Sequence, residues 1–360
     1  MKLKVKNALN AQDFSYLKKT IGQRKCSWFQ NVYLYITEKC QLRCGYCYLG
    51  ERLKRASTMP INQIRDNLII WKELGGRKIC FLGGEPTLHP QFEEAVRYAN
   101  TLGYEKVIVN TNGLQPALNK LKNFDPSDFS YIQISLDGVS PYTHDKIRGK
   151  GTSRIVLNTI KELCKKGFDV RIICTVNRLN IKGCLNILPV ADNIGVSLVK
   201  YHIFSGIGNG KKNIQWLLNP YEWIEFTETL LKQKGKYETK IQYQPAYAKK
   251  ETINRYLNEG YEGCLGRKLD RVSIFPDGNV YMCSYLFDTD LNFAKIVNGQ
   301  IQLNRGFSEL NLFSQDECKC CKFNKICLGG CPAEKVVTGL LPCNAYSDVF
   351  PICRLWKSTV

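Results

Sequence analysis

Three cysteines in C-x3-C-x2-C spacing lie within ITEKCQLRCGYCYLG (residues 36–50), directly after the apolar run Val32–Ile36. A short apolar run of this kind reads as a buried strand, so Cys40, Cys44 and Cys47 share the loop that leaves its end. Three thiolates on one loop can hold three irons of a [4Fe–4S] cube, which leaves the fourth iron open to a substrate. A zinc site more often pairs two C-x2-C knuckles or adds histidine, and neither lies near this loop. A purely structural set of thiols is the remaining alternative.

Composition narrows the setting. Seventeen cysteines in 360 residues would suggest disulfides in a secreted chain, but MKLKVKNALNAQDFSYLKK at the start is too polar for an export signal. No apolar run reaches the roughly 18 residues of a membrane span, so a cytoplasmic protein that uses its thiols for metal is expected. The formal charge is +19, from 51 Lys+Arg against 32 Asp+Glu. The cations are spread along the chain, with only short clusters such as Lys211-Lys212 and Lys319/Lys322/Lys325. A diffusely basic surface is the first reading, an acidic peptide partner the second and nucleic acid the third.

From Val32 onward short β-rich runs alternate with helical periods. The strand candidates are Val32–Ile36, Lys78–Leu82, Val107–Asn110, Tyr131–Ser135, Val170–Val176 and Leu198–Phe204. Ile61, Ile64, Leu68 and Trp71 mark a helix that Gly75-Gly76 ends, and Val156, Ile160 and Leu163 mark another before Gly167. Six such units predict an α/β chain with a parallel sheet and right-handed crossovers. SGIGNGKKN breaks the rhythm and reads as a flexible loop, followed by a helix over Tyr221–Lys232. Farther on, Arg271–Phe275 and Asn279–Cys283 flank Pro276-Asp277-Gly278, a hairpin signature.

Other loops carry chemistry. In Gly83-Gly84-Glu85-Pro86, two glycines allow close approach of a ligand, and the carboxylate can accept hydrogen bonds from an ammonium group. A tight strand-to-helix turn explains the same residues without a ligand. Ser135-Leu136-Asp137-Gly138 ends the fourth strand, and Arg148 beyond it is either a carboxylate partner or a surface arginine. Asn110-Thr111-Asn112-Gly113 reads as a turn-shaping element, Asn177 as a weak binding candidate, and His89 and His202 as structural.

In this order, the cysteine loop with Tyr46 before its last cysteine, GGEP, SLDG and Arg148 resemble the motifs of radical S-adenosylmethionine (radical SAM) enzymes. The resemblance implies a partial (β/α)6 TIM-like barrel with loops of function at the strands' C-terminal ends. It also implies that S-adenosyl-L-methionine chelates the open iron and is split by one electron into a 5′-deoxyadenosyl radical that abstracts a substrate hydrogen. A flavodoxin- or ferredoxin-type reductant would supply the electron. Carried over residue by residue, Tyr46, Gly83, Gly84, Glu85, Ser135, Arg148 and Asn177 are the expected contacts to SAM.

A second cysteine field follows: Cys264-x13-Gly278-x4-Cys283, then Cys318-x2-Cys321-x5-Cys327-x3-Cys331, then a later cysteine. It resembles the cysteine-rich SPASM extension of radical SAM enzymes, which holds two auxiliary [4Fe–4S] clusters. The resemblance assigns Cys264, Cys283 and Cys331 to the first, and Cys318, Cys321, Cys327 and Cys353 to the second, with Cys343 in reserve. Residues 250–263 lack the additional cysteine found in many relatives, so the first auxiliary cluster is expected to keep an open iron or take another ligand. The expected organisation is an N-terminal extension (1–30), the barrel (31–205), a bridging segment (206–263) and the SPASM domain (264–360).

SPASM enzymes mostly modify polypeptides, so the resemblance implies a precursor peptide as substrate. Sulfatase-maturating members, an alternative, place an aspartate where this chain has Ser284. Maturases of ribosomally made peptides, including the spliceases that excise tyramine to leave an α-keto-β-amino acid, fit better. Their recognition domain of roughly 80 residues does not fit into the 30 before the cluster strand, so a separate leader-recognition protein is expected. An electron-transfer or redox-sensing iron–sulfur protein would explain the cysteines without needing GGEP, SLDG or Arg148. A tRNA-modifying enzyme suits the charge but not the second cysteine field.

Overall fold

In the computed structural model the described residues are 29–258, 264–266, 269–304, 330–338, 348–352 and 358–359. The expected N-terminal extension therefore lies almost wholly outside them. The six anticipated strands are present as β1 (Asn31–Thr37), β2 (Lys78–Gly83), β3 (Lys106–Thr111), β4 (Tyr131–Ser135), β5 (Val170–Val176) and β6 (Leu198–Ile203). They pair in chain order and all in parallel, and β7 (Lys240–Tyr243) continues the series from inside the stretch read as a bridge.

Parallel neighbours need long crossovers, and helices supply them: α1 (Ile61–Glu73), α2 (Phe92–Thr101), α3 (Gln115–Leu121), α4 (Asp145–Arg148) with α5 (Thr152–Lys165), α6 (Ile187–Ile194) and α7 (Pro220–Leu231). In α1 the apolar spacing turns Ile64, Leu68 and Trp71 into the core, where Trp71 meets Phe29 edge-on at 5.3 Å. Fully burying such a side chain contributes about 1.5–3 kcal/mol. The α7 helix starts with a reciprocal cap, in which Glu222 N–H donates to Asn219 Oδ1 at 2.9 Å and Asn219 N–H to Glu222 Oε2 at 2.7 Å.

The sheet is not a filled barrel. Along β5, Val170, Ile172, Cys174 and Val176 are buried, while Arg171, Ile173 and Thr175 between them are half-buried. The same alternation marks β4 (Tyr131, Gln133, Ser135) and the later part of β6 (Lys200, His202). Period two places these half-buried residues on one face, so the inner face is an open trough lined with polar side chains.

After β8 (Tyr247–Lys249) come β9 (Arg271–Ile274) and β10 (Asn279–Tyr281), the hairpin the sequence predicts, then β11 (Ala294–Val297), β12 (Gln300–Leu303), β13 (Val349–Pro351) and β14 (Ser358–Thr359). Sequence patterning did not anticipate the partner of β9. It pairs in parallel with β1, from Asn31↔Arg271 to Leu34↔Ile274, so barrel and C-terminal hairpins share one sheet of twelve strands. β13 pairs with β8 in a separate ribbon. Among the described residues no helix is long and apolar enough to cross a membrane.

Candidate active site at the C-terminal ends of the strands

The three cysteines sit in the loop after β1, and other parts of the chain hold that loop from outside. Gly45 N–H donates to Ile147 O at 3.0 Å, Asn209 Nδ2 to Cys44 O at 3.1 Å, Asn209 N–H to Cys47 O at 2.9 Å and Asn213 Nδ2 to Gly45 O at 2.8 Å. A Cβ on Gly45 would run into the Trp216 ring. The Gly- and Lys-rich stretch expected to be a flexible loop is thus a clamp, folded as a kinked 3-10 helix over Gly208–Trp216.

Cys44 is buried and Cys40 and Cys47 are half-buried. Burial pushes the Cys40 thiol up to about 11 and the Cys44 thiol up to about 12, and raises that of Cys47. Three clustered soft donors, protonated when unligated, suit iron, which binds thiolate and displaces the proton. No three metal-ligating side chains among the described residues converge on a single ion, whereas a cube gives each thiolate an iron of its own.

The glycine pair serves this loop. Gly84 N–H donates to Thr37 O and Glu85 N–H to Lys39 O, both at 2.8 Å. A Cβ on Gly84 would lie 2.5 Å from Lys39 O and 2.8 Å from Cys40 Cβ, so the close approach these glycines permit is that of the cysteine loop itself. Glu85 turns inward and is fully buried. Its Oε1 accepts from Thr87 N–H (3.2 Å), Thr87 Oγ1 (2.6 Å) and Thr111 Oγ1 (2.8 Å), and its Oε2 from Asn112 N–H (2.7 Å). That carboxylate bolts the turn after β2 to the turn after β3. Asn112 in turn reaches Gln41 Oε1 at 3.2 Å and Cys40 Sγ at 3.9 Å.

On the other side of the loop, Tyr46 donates its hydroxyl proton to Asp137 Oδ2 at 2.7 Å. Arg148 Nε lies 2.6 Å from the same oxygen, and Arg148 Nη2 contacts the Tyr46 hydroxyl. Thr175 N–H holds Asp137 Oδ1 at 2.8 Å. Arg148 is therefore buried and paired, not a surface arginine, and its guanidinium stacks 5.2 Å from the Tyr46 ring centroid. Ser135 lies half-buried at the end of β4. Asn177 is not brought to the trough: it is fully buried, with its amide donating to Thr175 O and its carbonyl accepting from Leu179 N–H. His89 is likewise structural, accepting Gln91 N–H on Nδ1 and bonded to Met59 O through Nε2.

His144 supports this triad from below, accepting Asp137 N–H on Nδ1 at 3.1 Å. Burial holds its ring neutral down to about pH 4, against 6.5 in an unfolded chain. The unfolded chain takes up the proton first, so this contribution to stability is whole above pH 6.5 and is lost as pH falls toward 4. The loss should reach up to about 1.4 kcal/mol per pH unit. His144→Gln keeps an acceptor for Asp137 N–H and should flatten that part of the profile. Urea denaturation across pH 4–7 reads the difference; identical slopes in the two proteins would show that the ring titrates as in water.

Several site residues were invisible in the sequence. Arg52, just past the cysteine loop, is buried with Nε 2.5 Å from Glu38 Oε1, Nη2 2.7 Å from Asp277 Oδ2 and Nη1 2.5 Å from Asp288 Oδ1. Its guanidinium lies 4.5 Å from the Phe275 ring centroid, and Arg55 grips Asp288 with two bonds of 2.9 Å. Tyr48 and Tyr35 share a 2.5 Å hydroxyl contact. Ser284 meets Ser273 Oγ at 2.9 Å and accepts from Arg271 Nη2 at 3.1 Å.

Of the second cysteine field, Cys264, Cys283 and Cys331 are described and buried. Cys264 Sγ and Cys283 Cβ lie 3.5 and 3.8 Å from the point a Cβ on Gly266 would occupy, so they flank one spot. The helix after Cys331, α8 (Pro332–Thr338), packs on the turn Ser284–Leu286. Cys318, Cys321, Cys327, Cys343 and Cys353 lie outside the described residues.

Residues 34–183, which carry the cysteine loop, the glycine turn and the Tyr46–Asp137–Arg148 cluster, match the radical SAM superfamily model. These residues form a radical SAM domain. The chain is 26% identical over 328 residues to the mycofactocin maturase MftC of Mycobacterium ulcerans, covering 85% of this chain and 83% of the relative. It is also 27% identical over 317 residues to the AdoMet-dependent heme synthase of Methanosarcina barkeri, covering 82% and 88%. Streptococcus suis SuiB bound to its precursor peptide SuiA superposes with a TM-score of 0.66 at 16% identity, over 90% of this chain and 77% of that one. The described residues have the expected α/β fold class, a partial barrel of parallel strands.

Proposed function

We propose that this radical SAM enzyme is a maturase that modifies residues of a ribosomally made precursor peptide. The observation that carries the reading is the joining of the cysteine loop to a half-open polar trough inside the sheet. The likeness to mycofactocin maturase along most of both chains supports the same substrate class.

Cys40, Cys44 and Cys47 would hold a [4Fe–4S] cluster whose fourth iron faces S-adenosyl-L-methionine. Together these groups supply one-electron reduction ending in hydrogen abstraction from the substrate. The protein's part is to place and shield them. Glu85, Asn112 and the Asn209/Asn213 clamp fix the loop, while Tyr46, Asp137 and Arg148 form a charged, water-poor wall beside it. Gly83, Gly84 and Ser135 would border the cofactor.

Cys264, Cys283 and Cys331, and separately Cys318, Cys321, Cys327 and Cys353, would hold two auxiliary [4Fe–4S] clusters. A separate leader-recognition protein and a flavodoxin- or ferredoxin-type reductant complete the system, in the cytoplasm. The splicease reaction, removal of tyramine to leave an α-keto-β-amino acid, is the specific chemistry we favour. Sulfatase maturation is disfavoured by Ser284, whose hydroxyl is committed to Ser273 and Arg271 and offers no carboxylate base.

The test is anaerobic. Reduced, reconstituted protein given SAM should release 5′-deoxyadenosine and methionine, and a precursor peptide encoded beside the gene should change mass only in complete mixtures. Cluster reduction without SAM cleavage would instead mark an electron-transfer protein.

A further inference from the structure

Arg271, the first residue of β9, is buried, and no carboxylate among the described residues pairs with it. Its Nη2 donates to Ser284 Oγ at 3.1 Å, and its guanidinium lies 4.1 Å from the Tyr33 ring centroid. Its Nε has no hydrogen-bond partner among the described residues. The other two buried arginines described here hold Glu38 at 2.5 Å (Arg52) and Asp137 at 2.6 Å (Arg148). An arginine stays protonated at any working pH. A ring face offsets part of the cost of taking that charge out of water, but a buried charge is normally paired as well.

What faces this cation is sulfur. β9 and β10 pair antiparallel, with Ile274 opposite Val280 and Ser273 opposite Tyr281. The same register carried two residues further sets Arg271 opposite Cys283, and side chains so placed share a face. The bond to Ser284, the next residue, shows that the two segments still run side by side there. Cys283 and Cys264 both act electrostatically on the guanidinium, together with the hydroxyls of Tyr33 and Tyr35. As free thiols, with an ordinary pKa of about 8.5, the two cysteines are neutral near pH 7. Bound to metal they are thiolates, and the counter-charge that the chain leaves out is then present.

We propose that Arg271 is the counter-ion of an anionic iron–sulfur cluster held by Cys264 and Cys283, and a positioning residue that raises the potential of that cluster. The proposal rests on the auxiliary-cluster assignment made above and adds the cation that completes it. A fixed positive charge and N–H donors beside a cluster favour its reduced form, which carries one more negative charge. The unpartnered Nε–H is the donor left for it.

The test is a dithionite redox titration of the anaerobically reconstituted full chain, read by electron paramagnetic resonance, with iron analysis alongside. The signal that added SAM alters is assigned to the Cys40 loop and left out of the comparison. Arg271→Gln should move one remaining signal to lower potential. Its oxidised-to-reduced ratio at a fixed potential should rise about tenfold, equivalent to ~59 mV. Arg271→Lys keeps the charge and should recover at least about half of that shift, while Arg65→Gln, an exposed arginine paired with Glu94, should cause none. In the wild type grown on arginine labelled with nitrogen-15, a SAM-insensitive signal should show coupling to the label, a readout that needs no variant to fold. Absence of that coupling, unmoved potentials in Arg271→Gln, or a shift that Arg271→Lys leaves unrepaired would overturn the role of Arg271. Loss of about four irons in Arg271→Gln but not in Arg271→Lys would support it, and equal loss in both would mark a packing residue and overturn it. Full iron in Cys264→Ser/Cys283→Ser would strike the cluster assignment itself, whereas iron loss there with unmoved potentials in Arg271→Gln would strike Arg271 alone.

Discussion

Replacing Cys40, Cys44 and Cys47 together by alanine is expected to lower the iron content of the reconstituted protein from about twelve atoms to about eight and to abolish SAM cleavage. The count follows from the three cubes proposed above, of which only the radical SAM cluster would use this loop. The protein should still fold, because the loop hangs on backbone and side-chain contacts other than its thiols: Gly45 to Ile147, Asn209 to Cys44 and Cys47, and Asn213 to Gly45. Iron analysis, circular dichroism and product assay together read the result. Full iron retention in the triple variant would show that the cube is held elsewhere.

Arg52→Met should cost about 3–5 kcal/mol of stability, as breaking a buried ion pair from one side does. The guanidinium is fully buried and answers three carboxylates, of which Glu38 is buried with it while Asp277 and Asp288 are one-third exposed. Removing the cation strands Glu38 beside two like charges. Arg52→Lys should recover little, because a single ammonium cannot face three directions or stack on Phe275. Such a loss is a large share of the 5–15 kcal/mol that a typical domain has. Chemical denaturation would measure it, and a change below about 1 kcal/mol would mean that water replaces the cation.

The strands could be read from the sequence because each is a short apolar or alternating run bounded by turn residues, and β1 to β6 begin and end within a residue or so of expectation. β7 was missed, since KIQY is too short and polar to stand out from its surroundings. The docking of β9 on β1 is set by pairing across some 240 residues, about which local pattern says nothing. At the site, spacing was enough to find the cysteines, because their chemistry lies in how they are grouped. It found the right loops for Glu85 and Arg148 but not their partners: one is closed by Thr87, Thr111 and Asn112, the other by Asp137 and Tyr46. Arg52 and Asp137 are buried charges that only tertiary contacts explain. The reading of SGIGNGKKN as loose failed because glycine allows either mobility or close packing, and Gly208 here is pressed against the Tyr48 carbonyl.

The position of β1 between β2 and β9 bears on how the polypeptide is made. Its second edge stays unpaired until residues 271–274 leave the ribosome, some 240 residues later. At 5–20 residues per second this is roughly ten to fifty seconds. Throughout that interval the apolar edge Val32–Ile36 is a template for pairing with another chain. Asp277 and Asp288, which fasten Arg52, emerge later still. The cysteine loop is thus among the first parts synthesised and among the last to be locked, so iron delivered before the chain is complete would meet three thiols on an unfinished support. Nascent chains halted before residue 271 should therefore be the aggregation-prone species of this protein, and loading of the first cluster should follow release rather than accompany synthesis.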